Sequence, residues 1–154
     1  MNTDKPIQRS EYLKPLSREH HHGLLLCWKI KTGFSKGVAT DRIKTYADWF
    51  YKVYLIPHFE AEEKYVFPIL GNDNELIKQA LEEHKLLSIL FSDTSDIENS
   101  LNQIQTELEK HIRFEERILF NEIQNAASLE QLKEFELHHT EVKFTENLND
   151  EFWK

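Results

Sequence analysis

The 154-residue chain has few glycines, prolines and cysteines, and no long apolar run. Four glycines and four prolines leave few turn signals, which argues against a strand-rich fold. The single cysteine, Cys27, excludes an internal disulfide, and its apolar neighbours predict a core thiol. No stretch approaches the ~20 apolar residues of a membrane span, and the polar N-terminus lacks the apolar region of a signal peptide. We therefore expect a cytoplasmic protein.

Positive charge is also in the minority, with 19 Lys and Arg against 27 Asp and Glu, a formal net charge of -8. Nucleic acids and anionic membranes favour basic patches, so we expect neither as a partner. The sequence contains no Gly-rich nucleotide loop and no Ser-His-Asp order, which makes an enzyme the less favoured class. The length is that of one domain with a real core, and we assign residues 1–154 to a single domain.

Helical periodicity fills the chain after a short arm. Ser17 and Thr40 are predicted to cap the first two helices, Pro57 to kink the second, and Ser128 with Gln131 to open the last. Short connections favour antiparallel neighbours, so we predict an all-α, up-down-up-down four-helix bundle with an N-terminal arm and a short C-terminal helix. The predicted ranges are an arm at 1–16, bundle helices at about 17–36, 40–67, 74–92 and 95–125, and a C-terminal helix at about 129–147.

Two His-x-x-x-Glu pairs stand out, His58 with Glu62 in "HFEAEEKYVF" and His111 with Glu115 in "HIRFEERILF". Residues four apart share a helix face, and on a solvated face such a pair adds only ~0.2 to 0.5 kcal/mol. Both pairs instead lie in apolar stripes, and a glutamate is almost never fully buried unless it is paired or bound to metal. The stripes are Ile43, Ala47, Phe50, Tyr54, His58, Glu62 and Tyr65, and Leu101, Ile104, Leu108, His111, Glu115 and Ile118.

Two further helices carry histidines at the matching height. His84 lies in the core register of the third helix, and "REHHHG" places His20, His21 and His22 at the start of the first. In an antiparallel bundle with a rise of about 1.5 Å per residue, these positions fall in one layer with the two pairs. Four imidazoles and two carboxylates without thiolate suit iron, with zinc or manganese also possible, and carboxylates that can bridge favour two ions.

These residues resemble the hemerythrin-like, or HHE cation-binding, family of four-helix di-iron proteins, over about residues 16–125. The resemblance implies two iron ions with a bridging oxygen, bridged by Glu62 and Glu115. It implies terminal ligands at His58, His84, His111 and one histidine of the first helix. We select His20, because "SREH" resembles "LEEH" at His84, while His21 and His22 stay open as alternatives.

Members of that family carry oxygen, sense oxygen or iron, respond to nitric oxide, or assist iron-sulfur repair. The resemblance thus implies a metal-binding, oxygen-binding or nitric oxide-binding protein with a sensing, redox or iron-handling role and no assigned protein partner. Oxygen-carrying members have a second histidine four residues after the helix-three ligand, where this chain has Ser88. We therefore expect reactivity with oxygen rather than reversible storage.

Two other interpretations stay open. One is a helical interaction module held together by a structural metal site. The other is a ferritin-like carboxylate bundle, whose Glu-x-x-His spacing is matched by Glu19 with His22 and by Glu136 with His139. That alternative requires the C-terminal helix to enter the bundle, whereas its charge leads us to expect that His138 and His139 are exposed to solvent.

Overall fold

The computed structural model describes residues 8–154, and the regular secondary structure in that range is entirely helical. No helix there combines the length and the apolar character that crossing a membrane would require. The α-helices are α1 (Lys14–Ser35), α2 (Thr40–Phe50), α3 (Ile56–Ala61), α4 (Glu75–Ser92), α5 (Ile97–Phe114), α6 (Phe120–Ala126) and α7 (Leu129–His138). Three π-turns, Tyr51–Leu55, Glu62–Val66 and Glu115–Leu119, and a 3-10 turn, Phe67–Ile69, extend these helices. The all-α prediction is confirmed.

Helix starts follow the sequence signals in some places and not in others. The predicted capping box at Ser128 and Gln131 is present. The caps predicted at Ser17 and Thr40 are wrong, because α1 already begins at Lys14 and the residue before α2 is Ala39. Proline in the first turn of α1 loses no helical hydrogen bond, which explains the earlier start. The predicted arm therefore shortens, and its residues 1–7 lie outside the described range.

The π-turns shift which side chains face the core. Ile118, which ends the predicted apolar stripe of His111 and Glu115, is 48% exposed, whereas its neighbour Leu119 is fully buried. The same shift replaces Tyr65, which is partly exposed, with the buried Val66. A π-turn bonds residue i to i+5 and so inserts one extra residue, which moves every later side chain around the axis. Both stripe predictions fail at the first position after the glutamate for this reason.

Pro57 does not split its helix. It lies in the first turn of α3, directly after the π-turn Tyr51–Leu55, and the chain stays helical on both sides. The wider π-turn accommodates the ring and the missing N–H that would disrupt an ordinary turn. The chain is therefore helical through the proline, and the kink itself stays a prediction.

The C-terminal helix is shorter than predicted, because α7 ends at His138 and not near residue 147. His139 has extended backbone angles, and the chain continues without regular structure to residue 154. This course brings Phe144 against the aromatic rings of Trp49 and Phe50. Near the chain end it buries Phe152 beside Tyr46. Aromatic packing of the tail thus replaces a continued helix.

Buried apolar residues form two clusters, and the candidate site lies between them along each helix. One cluster includes Leu26, Phe59, Leu87 and Leu108, and it also contains Cys27, whose pKa burial raises to about 12. The other cluster contains Leu13, Leu16, Val66, Phe67, Ile77, Ala80, Leu119, Phe120, Ile123, Leu132 and Phe135. Along the chain, His20 in α1, His58 in α3, His84 in α4 and His111 in α5 each lie between a member of one cluster and a member of the other. The site is therefore enclosed by hydrophobic packing on both sides.

Candidate metal centre

The structure brings all six predicted ligand residues into one buried cluster. They form two groups, in each of which one possible ligand atom per residue lies within 4.8 Å of all the others. Glu62 and Glu115 belong to both groups and are completely buried. The groups are His20, His58, Glu62 and Glu115, and Glu62, His84, His111 and Glu115. Such an arrangement could hold a metal ion in each group, with two shared carboxylates between them.

The start of α1 contributes a single histidine to this cluster. The ring of His20 is 5% exposed and its Nε2 lies 2.9 Å from Oε1 of Glu115. His21 is exposed, and His22 is partly exposed and stacks on Phe144 at 4.6 Å. Geometry therefore favours His20 over its two neighbours, as the sequence interpretation did.

Most of the atoms that face the centre of the cluster lack hydrogen-bond partners, and the exceptions are Nε2 of His20 and Oε1 of Glu115, which bond to each other. Both carboxylate oxygens of Glu62 are buried and unpaired, as is Oε2 of Glu115. The Nε2 atom of His84 lies 3.1 Å from Glu62, but not with the geometry of a hydrogen bond. The inward Nε2 atoms of His58 and His111 are also unpaired. Leaving a buried polar atom unpaired costs ~1 to 3 kcal/mol, and a divalent cation satisfies imidazole nitrogen and carboxylate oxygen together.

The Nδ1 atom of each imidazole points away from the centre of the cluster and bonds to a glutamate other than Glu62 and Glu115. Because an ionised carboxylate only accepts hydrogen bonds, each Nδ1 carries a proton and donates it, and Nε2 is the ring nitrogen that faces inward. The donor and acceptor pairs are His20 with Glu116 at 2.7 Å, His58 with Glu19 at 2.8 Å, His84 with Glu63 at 2.7 Å, and His111 with Glu83 at 2.7 Å. All four rings are thus preset for binding metal through Nε2.

The sequence interpretation missed these four outer glutamates, although a signal was present. Each is the immediate chain neighbour of a predicted ligand, as Glu19 is of His20 and Glu116 is of Glu115. On a helix the next residue points about 100° away, so it misses its own helix's ligand and reaches the ring on an adjacent helix. A glutamate directly beside His20, Glu62, His84 and Glu115 is the signal that would have identified them.

The cluster has an internal repeat that relates its two halves. Glu19 precedes His20 as Glu83 precedes His84, and "HFEAEE" at 58–63 corresponds to "HIRFEE" at 111–116. The hydrogen bonds follow the same correspondence, since Glu19 accepts from the ring of His58 and Glu83 accepts from the ring of His111. The two possible ion positions therefore have the same donors, two imidazoles and two shared carboxylates.

Without metal, protons must balance the buried charges. Burial and the nearby Glu115 carboxylate raise the pKa of Glu62 to about 8. Burial alone would lower the pKa of His111, but the carboxylates of Glu115 and Glu83 raise it to about 10. The pKa of Glu115 lies well below its ordinary value despite burial, because His111 and His20 stabilise its charge. Binding of cations would displace these protons.

Two openings reach the cluster from different sides. A narrow, largely apolar pocket, part of it open to solvent, adjoins His20 and His58. Its apolar walls are Phe50, Leu55, Phe59, Leu108, Ile112 and Val142. A more open groove, with both polar and apolar side chains in its lining, adjoins His84 and Ser88. There Tyr51 donates a hydrogen bond from its hydroxyl to Ser88 at 2.9 Å, so the serine side chain already has a partner.

The expectation for the C-terminal histidines is half wrong. His138 is exposed and stacks on Tyr65, but the side chain of His139 is only 8% exposed and its Nε2 lies 2.9 Å from Glu19. The chain turns at the end of α7 and directs His139 towards α1, which helical periodicity could not predict. In residues 8–154 the groups able to hold metal include none of the four residues of the ferritin-like alternative.

Comparison of the chain with protein-family models, with curated proteins and with solved structures found no match. The case for a metal centre therefore rests on the buried donor atoms themselves.

Proposed function

We propose that this chain is a hemerythrin-like, non-haem di-iron protein that binds or reacts with O2 or nitric oxide. The fold proposed with it is an up-down-up-down four-helix bundle, and the role is sensing, redox chemistry or iron handling. One observation carries the proposal: the inward Nε2 and carboxylate atoms form two donor groups that share Glu62 and Glu115. Two shared carboxylates support a dinuclear site over two separate ones.

The donor set supports iron as the metal. The only cysteine, Cys27, is buried in an apolar cluster and is not among the groups able to hold metal, so the site offers imidazole and carboxylate alone. That mixture suits iron, while zinc and manganese remain compatible. Four imidazoles, two shared carboxylates and one bridging oxygen would fill about ten of the roughly twelve positions of two octahedral ions. Room is left for a small ligand.

The apolar pocket supports a reactive centre over a purely structural one, because structural metal sites are closed. When bound, an iron pair supplies binding and electron-transfer chemistry for O2 and nitric oxide. The side chains of Phe50, Leu108 and Val142 would exclude bulk water from the approach to His20 and His58. Small neutral molecules are the ligands that such walls admit.

Iron-loaded, reduced protein should change its visible absorption within seconds of mixing with O2 or nitric oxide. The pocket gives these molecules access, and the iron spectrum depends on the ligands bound. Stopped-flow absorption under anaerobic loading measures the change, with zinc-loaded protein as the control. An interaction module with structural iron should give a constant spectrum, and constancy over hours in protein shown to contain iron would refute the gas-binding proposal.

Replacing Ser88 with histidine should slow the reaction with O2 and tighten metal binding on the His84 side. The new imidazole would lie one turn after His84 on α4, facing the same groove, and would fill a free coordination position. Ser88→Ala is the matched control, because it removes the hydrogen bond from Tyr51 without adding a ligand. Stopped-flow kinetics and metal titration measure both effects. Equal rates in the histidine and alanine variants would show that the imidazole does not reach the metal.

A further inference from the structure

The two halves of the metal centre are supported differently, despite their repeated sequence. The outer carboxylate of the His111 half, Glu83, accepts its second hydrogen bond from Gln79 at 2.9 Å, one turn earlier on the same helix. The outer carboxylate of the His58 half, Glu19, accepts instead from His139 at 2.9 Å and from the backbone N–H of Val142 at 3.3 Å. Only the His58 half thus depends on residues that follow the last helix.

Residues 139–146, which we call the C-terminal strap, are held against α1 and α2 by side chains distant in sequence. Phe144 stacks on His22, and the backbone of Thr145 exchanges two hydrogen bonds with the hydroxyl of Tyr54. At its end Glu146 accepts hydrogen bonds from Lys29 and Tyr46. Val142 also forms part of the wall of the apolar pocket. The strap therefore contacts both the pocket and the hydrogen-bond partners of the metal site.

We propose that His139 is a positioning residue that couples docking of the C-terminal strap to metal binding in the His20 and His58 half of the centre. The connection runs from His139 Nε2 to Oε2 of Glu19, and from Oε1 of Glu19 to Nδ1 of His58. The inference rests on the proposed function, since it requires the cluster to bind metal. It assigns to the strap a role that the symmetric half of the site does without.

Burial makes this connection consequential. The side chains of Glu19 and His139 are 11% and 8% exposed, so water cannot freely replace a lost partner. Partners that orient a ligating histidine typically contribute 10- to 100-fold to metal affinity. Coupling between two binding events is reciprocal, so metal in this half should in turn stabilise the docked strap.

Three variants of the full-length chain separate positioning from packing. His139→Phe keeps a ring that can stack on Phe135, as His139 does at 5.3 Å, but removes the donor. His139→Gln keeps an N–H donor near the position of Nε2. His138→Phe changes the exposed neighbour, which bonds to Glu134 and not to the site. The pair His138 and His139 therefore provides a matched control one residue away.

Anaerobic titration with Fe²⁺, in which isothermal calorimetry measures the binding, tests the proposal. His138→Phe should bind two ions, each with the affinity that the parent has for it. His139→Phe should bind one ion as the parent does and the other about 10 to 100-fold more weakly. His139→Gln should restore most of the loss. If His139→Phe binds both ions as tightly as the parent, or if His138→Phe shows the same loss, the inference is wrong.

Amide hydrogen exchange provides a second measurement, and its response to metal would be the same in all variants if His139 only packed the tail. In the parent, Fe²⁺ should slow exchange of the Val142 amide, which donates to Glu19. In His139→Phe the same addition should leave that exchange unchanged, and equal slowing in both proteins would overturn the coupling. A parent that binds no metal would refute the proposed function and this inference together, whereas two ions with unchanged behaviour in the variant refute the inference alone.

Discussion

Removal of metal should lower the melting temperature of this protein by at least about 10 °C, the shift expected from the loss of one ion. An ion that binds only the folded chain, present at about 1,000 times its dissociation constant, stabilises the fold by about 4 kcal/mol. For a chain of this length each kcal/mol corresponds to about 2 to 4 °C. Differential scanning calorimetry of iron-loaded protein and of protein dialysed against a chelator measures the shift.

The structural cause is the pair of buried carboxylates. Glu62 and Glu115 lie together with complete burial, and burial with this repulsion raises the pKa of Glu62 to about 8. The metal-free fold must therefore hold unmatched donors in its core, while the loaded fold pairs them with positive charge. Melting curves that do not change on chelation would show that the cluster does not bind metal in the folded protein.

Replacing Glu62 with glutamine should abolish binding of both ions, with affinities at least about 100-fold weaker, since direct ligation exceeds the 10- to 100-fold contribution of outer partners. Glu62 belongs to both donor groups, and a neutral amide neither bridges two cations nor balances their charge. His84→Ala should behave differently, because His84 belongs to one group only. Titration with Fe²⁺ should then find one retained ion in the histidine variant and none in the glutamine variant.

Two controls make this result specific. Glu60→Gln changes an exposed glutamate on the same helix and should bind two ions as the parent does. The metal-free Glu62→Gln protein should melt no lower than the metal-free parent at pH 7. Burial disfavours the ionised form of the Glu62 carboxyl, and the substitution replaces that carboxyl with a neutral amide. Two ions bound at parental affinity in Glu62→Gln would contradict the shared-carboxylate arrangement.

The sequence could single out the residues of the buried cluster because the signals for them are local. Two His-x-x-x-Glu pairs at one-turn spacing share a helix face wherever the helix lies. His84 falls in a similar apolar register, and His20 could be selected among three neighbours by its chain context. The structure brings all six residues together, although their role as ligands stays a prediction. Helix class was predictable for the same reason, since the period of apolar residues is a local property.

What the sequence alone determined is therefore the helical class and the six side chains that share buried faces. Tertiary structure decided which outer glutamate holds each ring, because those hydrogen bonds join different helices. It also decided the π-turns that exchange Ile118 for Leu119 in the core, since an i to i+5 bond leaves no simple residue signature. Above all it placed His139 against Glu19, more than a hundred residues earlier in the chain. That contact depends on the aromatic packing of a non-helical tail, which no periodicity encodes.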